Sequence, residues 1–75
     1  MSPRPFTIVI DDAVGSSAAA AIIASVSSLG RVSPGIRSSQ HFIVIERERD
    51  AEAFLHLAEG WKAAGTVSVE AGIRP

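Results

Sequence analysis

Two short runs constrain this chain more than anything else in it. PFTIVIDD at 5–12 and HFIVIERE at 41–48 read as strands, rich in β-branched residues and largely apolar on both of their alternating sets. Successive strand side chains point to opposite faces, so a strand apolar on both sets belongs inside a sheet. Pro5 marks the start of the first run, and Asp11 and Asp12 mark its end. With 75 residues, there is room for one domain, 1–75, near the lower limit for a self-supporting core. The chain has no cysteine, so no disulfide or thiolate-bound metal can supplement that core.

Between the two runs the pattern becomes helical. Ala19, Ile22, Val26 and Leu29 recur at three- and four-residue steps with Ile23 beside them, which predicts a helix over Ser16–Leu29. Gly30 follows as a stop in the left-handed region, and the alanines allow the helix to lie close to whatever covers it. RVSPGIRSSQ, 31–40, holds Pro34 and Gly35 and suits a sheet edge or a wide turn. After the second run, Asp50 reads as a helix cap with Glu52 in the first turn. Phe54, Leu57, Ala58 and Trp61 form the inner stripe of that helix, and Gly65 ends it. TVSVEAG closes the chain as an alternating strand with Val67, Val69 and Ala71 on one side.

The order is β-α-β-β-α-β. Right-handed crossovers on that order give an α+β, ferredoxin-like sandwich: a four-stranded antiparallel sheet with two helices on one face. The most apolar strands fall first and third, where the central positions are, and the proline-bearing one falls second, at an edge.

Helices on one face leave the other open. If Phe6, Ile8, Ile10, Phe42 and Val44 face the helices, Val9, Ile43 and Ile45 point away, flanked by Arg47. The opposite assignment leaves a similar apolar residue behind. Such a patch marks an interface with another protein or a second copy of the chain. Nucleic acid is a poor fit. The net charge is −1, aromatics are few for base stacking, and Arg47 and Arg49 alternate with Glu46, Glu48 and Asp50. A membrane partner is not expected either. No apolar run approaches the roughly 20 residues of a span, and in MSPRPFTIVIDD acids follow a run too short for a secretion signal. These features make a soluble cytoplasmic protein the default.

Catalytic and cofactor patterns are not visible, and we expect no enzyme, metal or cofactor. His41 and His56 have no second ligand at metal spacing. Glu52 and His56, one turn apart, read as a helix-surface pair. No serine stands in a Gly-x-Ser-x-Gly elbow, and Asp11 and Asp12, neighbours at a strand end, point in opposite directions. So small a domain cannot enclose a dry pocket of the usual ligand size.

DDAVGSSAAAAI, 11–22, remains. A helix start attracts anions, but the aspartates oppose phosphate, and a zwitterion would suit better. The simpler reading is that Asp12 or Ser16 caps the helix and Gly15 makes the turn. With its flanks the stretch resembles an ACT domain, the ferredoxin-like module that senses amino acids in metabolic enzymes. The match is FTIVIDD, the D-x-x-G step from Asp12 to Gly15, SLGRV at 28–32 and the closing VSVEAG. That resemblance implies a dimer whose Asp12, Val14 and Gly15 line a ligand loop. The chain resembles subtilisin propeptides and related small protease inhibitors about equally. That family would place the tail Ala71, Gly72, Ile73, Arg74 and Pro75 in a protease. A phage-type inhibitor, such as an anti-CRISPR protein, is a third alternative on size. The reading preferred from the residues is a non-enzymatic protein-binding module, an inhibitor or regulator acting through its sheet face or an edge strand.

Overall fold

The computed structural model describes residues 2–73; Arg74 and Pro75, the end of the inhibitor-like tail, lie outside the described residues. The chain runs β1 (Arg4–Ile10), α1 (Ser16–Ser27), β2 (Arg31–Pro34), β3 (Gln40–Ile45), α2 (Glu48–Ala63) and β4 (Val67–Ala71). The four strands form one sheet in the order β2-β3-β1-β4, antiparallel throughout. Ile22 and Val26 of α1 and Ala51 and Phe54 of α2 join one core with Phe6, Ile8 and Ile10. Both helices therefore cover the same face, and the fold is the ferredoxin-like sandwich expected from the element order.

At the centre of the core the Phe6 and Phe54 rings meet at 4.9 Å between centroids, tilted by 45°. Cross-strand register decides which side of β3 joins them. Phe6 stands opposite Ile43 and Arg4 opposite Ile45, and directly opposed residues share a face. Ile43 and Ile45 are accordingly 0% and 1% exposed. This corrects the expected partner surface: Ile43 and Ile45 belong to the core, and Phe42 and Val44 turn outward beside Val9. Arg47 is exposed, beyond the end of β3, at the residue preceding α2.

The helix ends also differ from the sequence reading. α2 begins at Glu48, and Arg47 caps it without a side-chain hydrogen bond. Asp50 therefore lies inside the first turn, where it and Glu48 complement the positive end of the helix dipole. The buried side of α2 runs through Ala51, Phe54 and Ala58, while Leu57 is 41% exposed. At its far end Thr66 N–H donates to Trp61 O (2.9 Å) and Gly65 N–H to Lys62 O (3.0 Å). Gly65 has φ +73° there, the left-handed turn that the sequence predicts. Gly30 does not share that conformation, since Gly65 and Gly72 have the positive φ values among the described glycines. What Gly30 provides is closeness. A Cβ at this position would stand 2.6 Å from Val44 O and 2.9 Å from Ile45 Cγ1.

Two devices fix the ends of the sheet. In the β2–β3 hairpin the buried Gln40 accepts Gly35 N–H on its carbonyl (2.8 Å) and Ile36 N–H on Oε1 (2.9 Å). Ile10 N–H donates to Ser39 O and Asp11 N–H to Thr66 O, both at 2.9 Å, which ties the hairpin and β4 to the exit of β1. At the other end Gly72, with φ +91°, turns the chain so that its carbonyl accepts the Thr7 hydroxyl at 2.7 Å.

Candidate functional site

Two features stand out once the core is accounted for: an open cleft beside α1 and the sheet face without helices. The cleft grows from the sequence at the exit of β1. Asp11 Oδ1 accepts the N–H of Ala13 (2.8 Å) and Asp11 O that of Val14 (3.0 Å), which folds residues 11–14 into a tight turn. Gly15 then caps α1 without any side-chain hydrogen bond. Neither Asp12 nor Ser16 is the cap, because Asp11 has already organised the turn.

Past this turn α1 presents small side chains toward the β2–β3 hairpin. Ala20 and Ala24 stay exposed and Ala19 is half-buried. They are too short to fill the space between helix and hairpin, so the alanine run opens a gap instead of closing one. The result is a solvent-open cleft of about 590 Å³. Its floor and helix side are Ile10, Val14, Ala19, Ala20, Ile23 and Ala24, and its polar rim is Asp11, Asp12, Ser38, Ser39 and His41. The volume lies within the range of small-molecule sites, although the cleft is not enclosed. Asp12 forms no hydrogen bond or ion pair among the described residues.

His41 enters this wall through register. It stands opposite Ile8, so it shares the helix-covered face, at the level where α1 leaves room. Its Nδ1 is buried and has no hydrogen-bond partner. An unpaired buried ring nitrogen costs stability.

Compared with known proteins, the chain matches no family model, no curated protein and no solved structure. Its functional reading therefore rests on its own geometry.

Of the residues that the ACT resemblance implies for a ligand loop, Asp12 and Val14 stand in the cleft wall. Gly15 is not among the wall residues, and a Cβ added to it meets nothing within 4 Å. Sequence reasoning missed Ser38, Ser39, Ile23 and His41. The usable signal was the run of small residues on α1 facing a serine-containing hairpin. His56 lies exposed on α2, and the expected Glu52–His56 pair is not formed, since neither side chain has a hydrogen bond or ion pair. Among the described residues no cluster of three metal-ligating side chains occurs, and no helix is long and apolar enough to cross a membrane.

The second feature is the helix-free face. Val9, Phe42 and Val44 are half-buried on it. They are close neighbours, because Thr7 faces Phe42, Val9 faces Gln40 and Pro5 faces Val44. Arg31 and Ser33 border them on β2, and Ser68 and Glu70 on β4, all four exposed. The chain segments at the two ends of this face carry large exposed apolar residues. Ile36, 71% exposed, lies in the hairpin loop fastened by Gln40, and Ile73, 44% exposed, follows the Gly72 turn.

Proposed function

We propose that this chain is a non-enzymatic binding module that docks on another protein through the helix-free face of its sheet, as an inhibitor or regulator. The observation that carries this reading is Phe42. It is an aromatic side chain held half-exposed between Val9 and Val44 on the central strands. An apolar centre with a polar rim of Arg31, Ser33, Ser68 and Glu70 has the anatomy of a protein interface.

A second copy of the chain is the first partner to test. A two-fold axis along the strands lays the β2 edge of one copy over the β4 edge of the other. Arg31 then approaches Glu70 across the interface, offset by two residues, about 7 Å along the strand. In solution the wild-type mass should rise toward a dimer between a dilute and a concentrated sample in light scattering. Phe42→Glu should weaken that association by at least about thirtyfold, as expected for a central aromatic anchor. Phe42 is not one of the buried core residues, so the variant should stay folded and melt cooperatively. A wild-type chain that stays monomeric at both concentrations removes the second copy as the partner.

A second reading, an ACT-like amino-acid-sensing dimer, is favoured by the position of Asp12 and Val14 in the cleft wall. It requires free amino acids to shift the mass measured in the same experiment.

A further inference from the structure

We propose that the cleft between α1, the exit of β1 and the β2–β3 hairpin binds a small organic cation, a primary amine carried on an aromatic or aliphatic body. This inference is independent of docking through the sheet face and is an alternative to the amino-acid-sensing reading of the same cleft. The wall divides the work by chemistry. Ile10, Val14, Ile23 and the alanines of α1 offer an apolar surface, and the formal charge comes from Asp11 and Asp12, with no lysine or arginine in the wall. Asp11 is occupied on Oδ1 by Ala13 N–H, which holds the turn. Asp12 makes no such bond and can accept an ammonium in a charge-assisted contact.

The same wall selects against the alternatives. A carboxylate on the ligand would share the cleft with two aspartates. It would also find no helix-end donors there, because Ser16, Ser17 and Ala18, which open α1, are not wall residues and Ala19 N–H already donates to Gly15 O. An amine is therefore favoured over the corresponding amino acid. His41 adds a second polar partner. It does so as a wall residue only, because its Nδ1 is buried without a partner and out of reach of an occupant.

The test uses the full chain and four indoles of similar size: tryptamine, tryptophol, tryptophan and indole-3-propionate. Each is titrated while backbone amide shifts are followed by NMR. Tryptamine should bind saturably and about tenfold more tightly than neutral tryptophol, the gain from one charge-assisted bond. Tryptophan and indole-3-propionate should bind more weakly than tryptamine, and the shifts should centre on residues 11–14, 19–24 and 38–41. Asp12→Asn, an exposed and unpaired position, should bring tryptamine down to the tryptophol level and leave tryptophol unchanged. Phe42→Glu should leave tryptamine binding intact, which separates this site from the sheet face. Equal affinities for all four indoles, a preference for either carboxylate, no saturable binding, shifts centred on Val9 and Val44, or an unaffected Asp12→Asn would each overturn the proposal.

Discussion

Phe54→Ala is expected to cost about 3–5 kcal/mol, the range for truncating a fully buried aromatic. Phe54 is 0% exposed and its ring packs on Phe6. It is the residue through which α2 reaches the centre of the sheet. A chain of 75 residues has a total stability on the order of 4–11 kcal/mol at the usual amount per residue. The variant therefore loses about a quarter or more of its folding free energy, and it unfolds in water where the loss reaches the whole of that stability. Urea unfolding followed by the fluorescence of Trp61, the one tryptophan, gives the number directly. Phe54→Leu keeps part of the volume but not the ring contact, and should cost less than Phe54→Ala. A loss below about 1 kcal/mol for Phe54→Ala would mean that the Phe6–Phe54 contact is not the centre of the core.

Element order and strand placement were legible because they follow from composition along the chain. Runs such as FTIVI can be satisfied only inside a sheet, and Pro34 only near its margin. The orientation of β1 was legible only as a lean, Phe6, Ile8 and Ile10 against Thr7 and Val9, both sets being largely apolar. The orientation of β3 was not. Ile43 and Ile45 balance Phe42 and Val44, so hydrophobicity alone cannot choose, and the choice falls to register. The pairing of Phe6 with Ile43 settles it, and a one-residue slip would exchange the two sets. His41 follows the same rule, because the phase that buries Ile43 also puts the ring in the cleft wall.

The cleft was hidden for a different reason. It is made by what the side chains of α1 fail to reach, and a run of alanines reads equally well as close packing or as a gap. Only the position of the β2–β3 hairpin, fixed by Gln40 and by Ile10 N–H on Ser39 O, distinguishes the two. Asp12 was legible, through the ACT resemblance, as a residue of the turn ahead of α1. Its freedom from capping duty was not, because that depends on Asp11 having taken the turn.

Gly30→Ala tests the other point on which sequence and structure part. A glycine that closes a helix in the left-handed region loses roughly 1–2 kcal/mol on replacement by alanine, from backbone strain alone. Gly65, at φ +73° with nothing within 4 Å of an added Cβ, is that case. Gly30 has no such strain, but its added methyl would overlap Val44 O at 2.6 Å and Ile45 Cγ1 at 2.9 Å. Neither neighbour can retreat easily. The carbonyl belongs to β3, which is paired on both sides, and Ile45 is locked in the core. The turn between α1 and β2 must move off the sheet instead, which carries Arg31 away from Val44 and loosens the edge strand. Gly30→Ala should therefore cost about 3 kcal/mol, the upper part of the range for overpacking, and Gly65→Ala about half of that. Urea midpoints of the two variants, taken with the wild-type slope, decide the matter. If Gly30→Ala proves no worse than Gly65→Ala, α1 does not press on β3 through this glycine, and the close approach of their backbones is not what requires it.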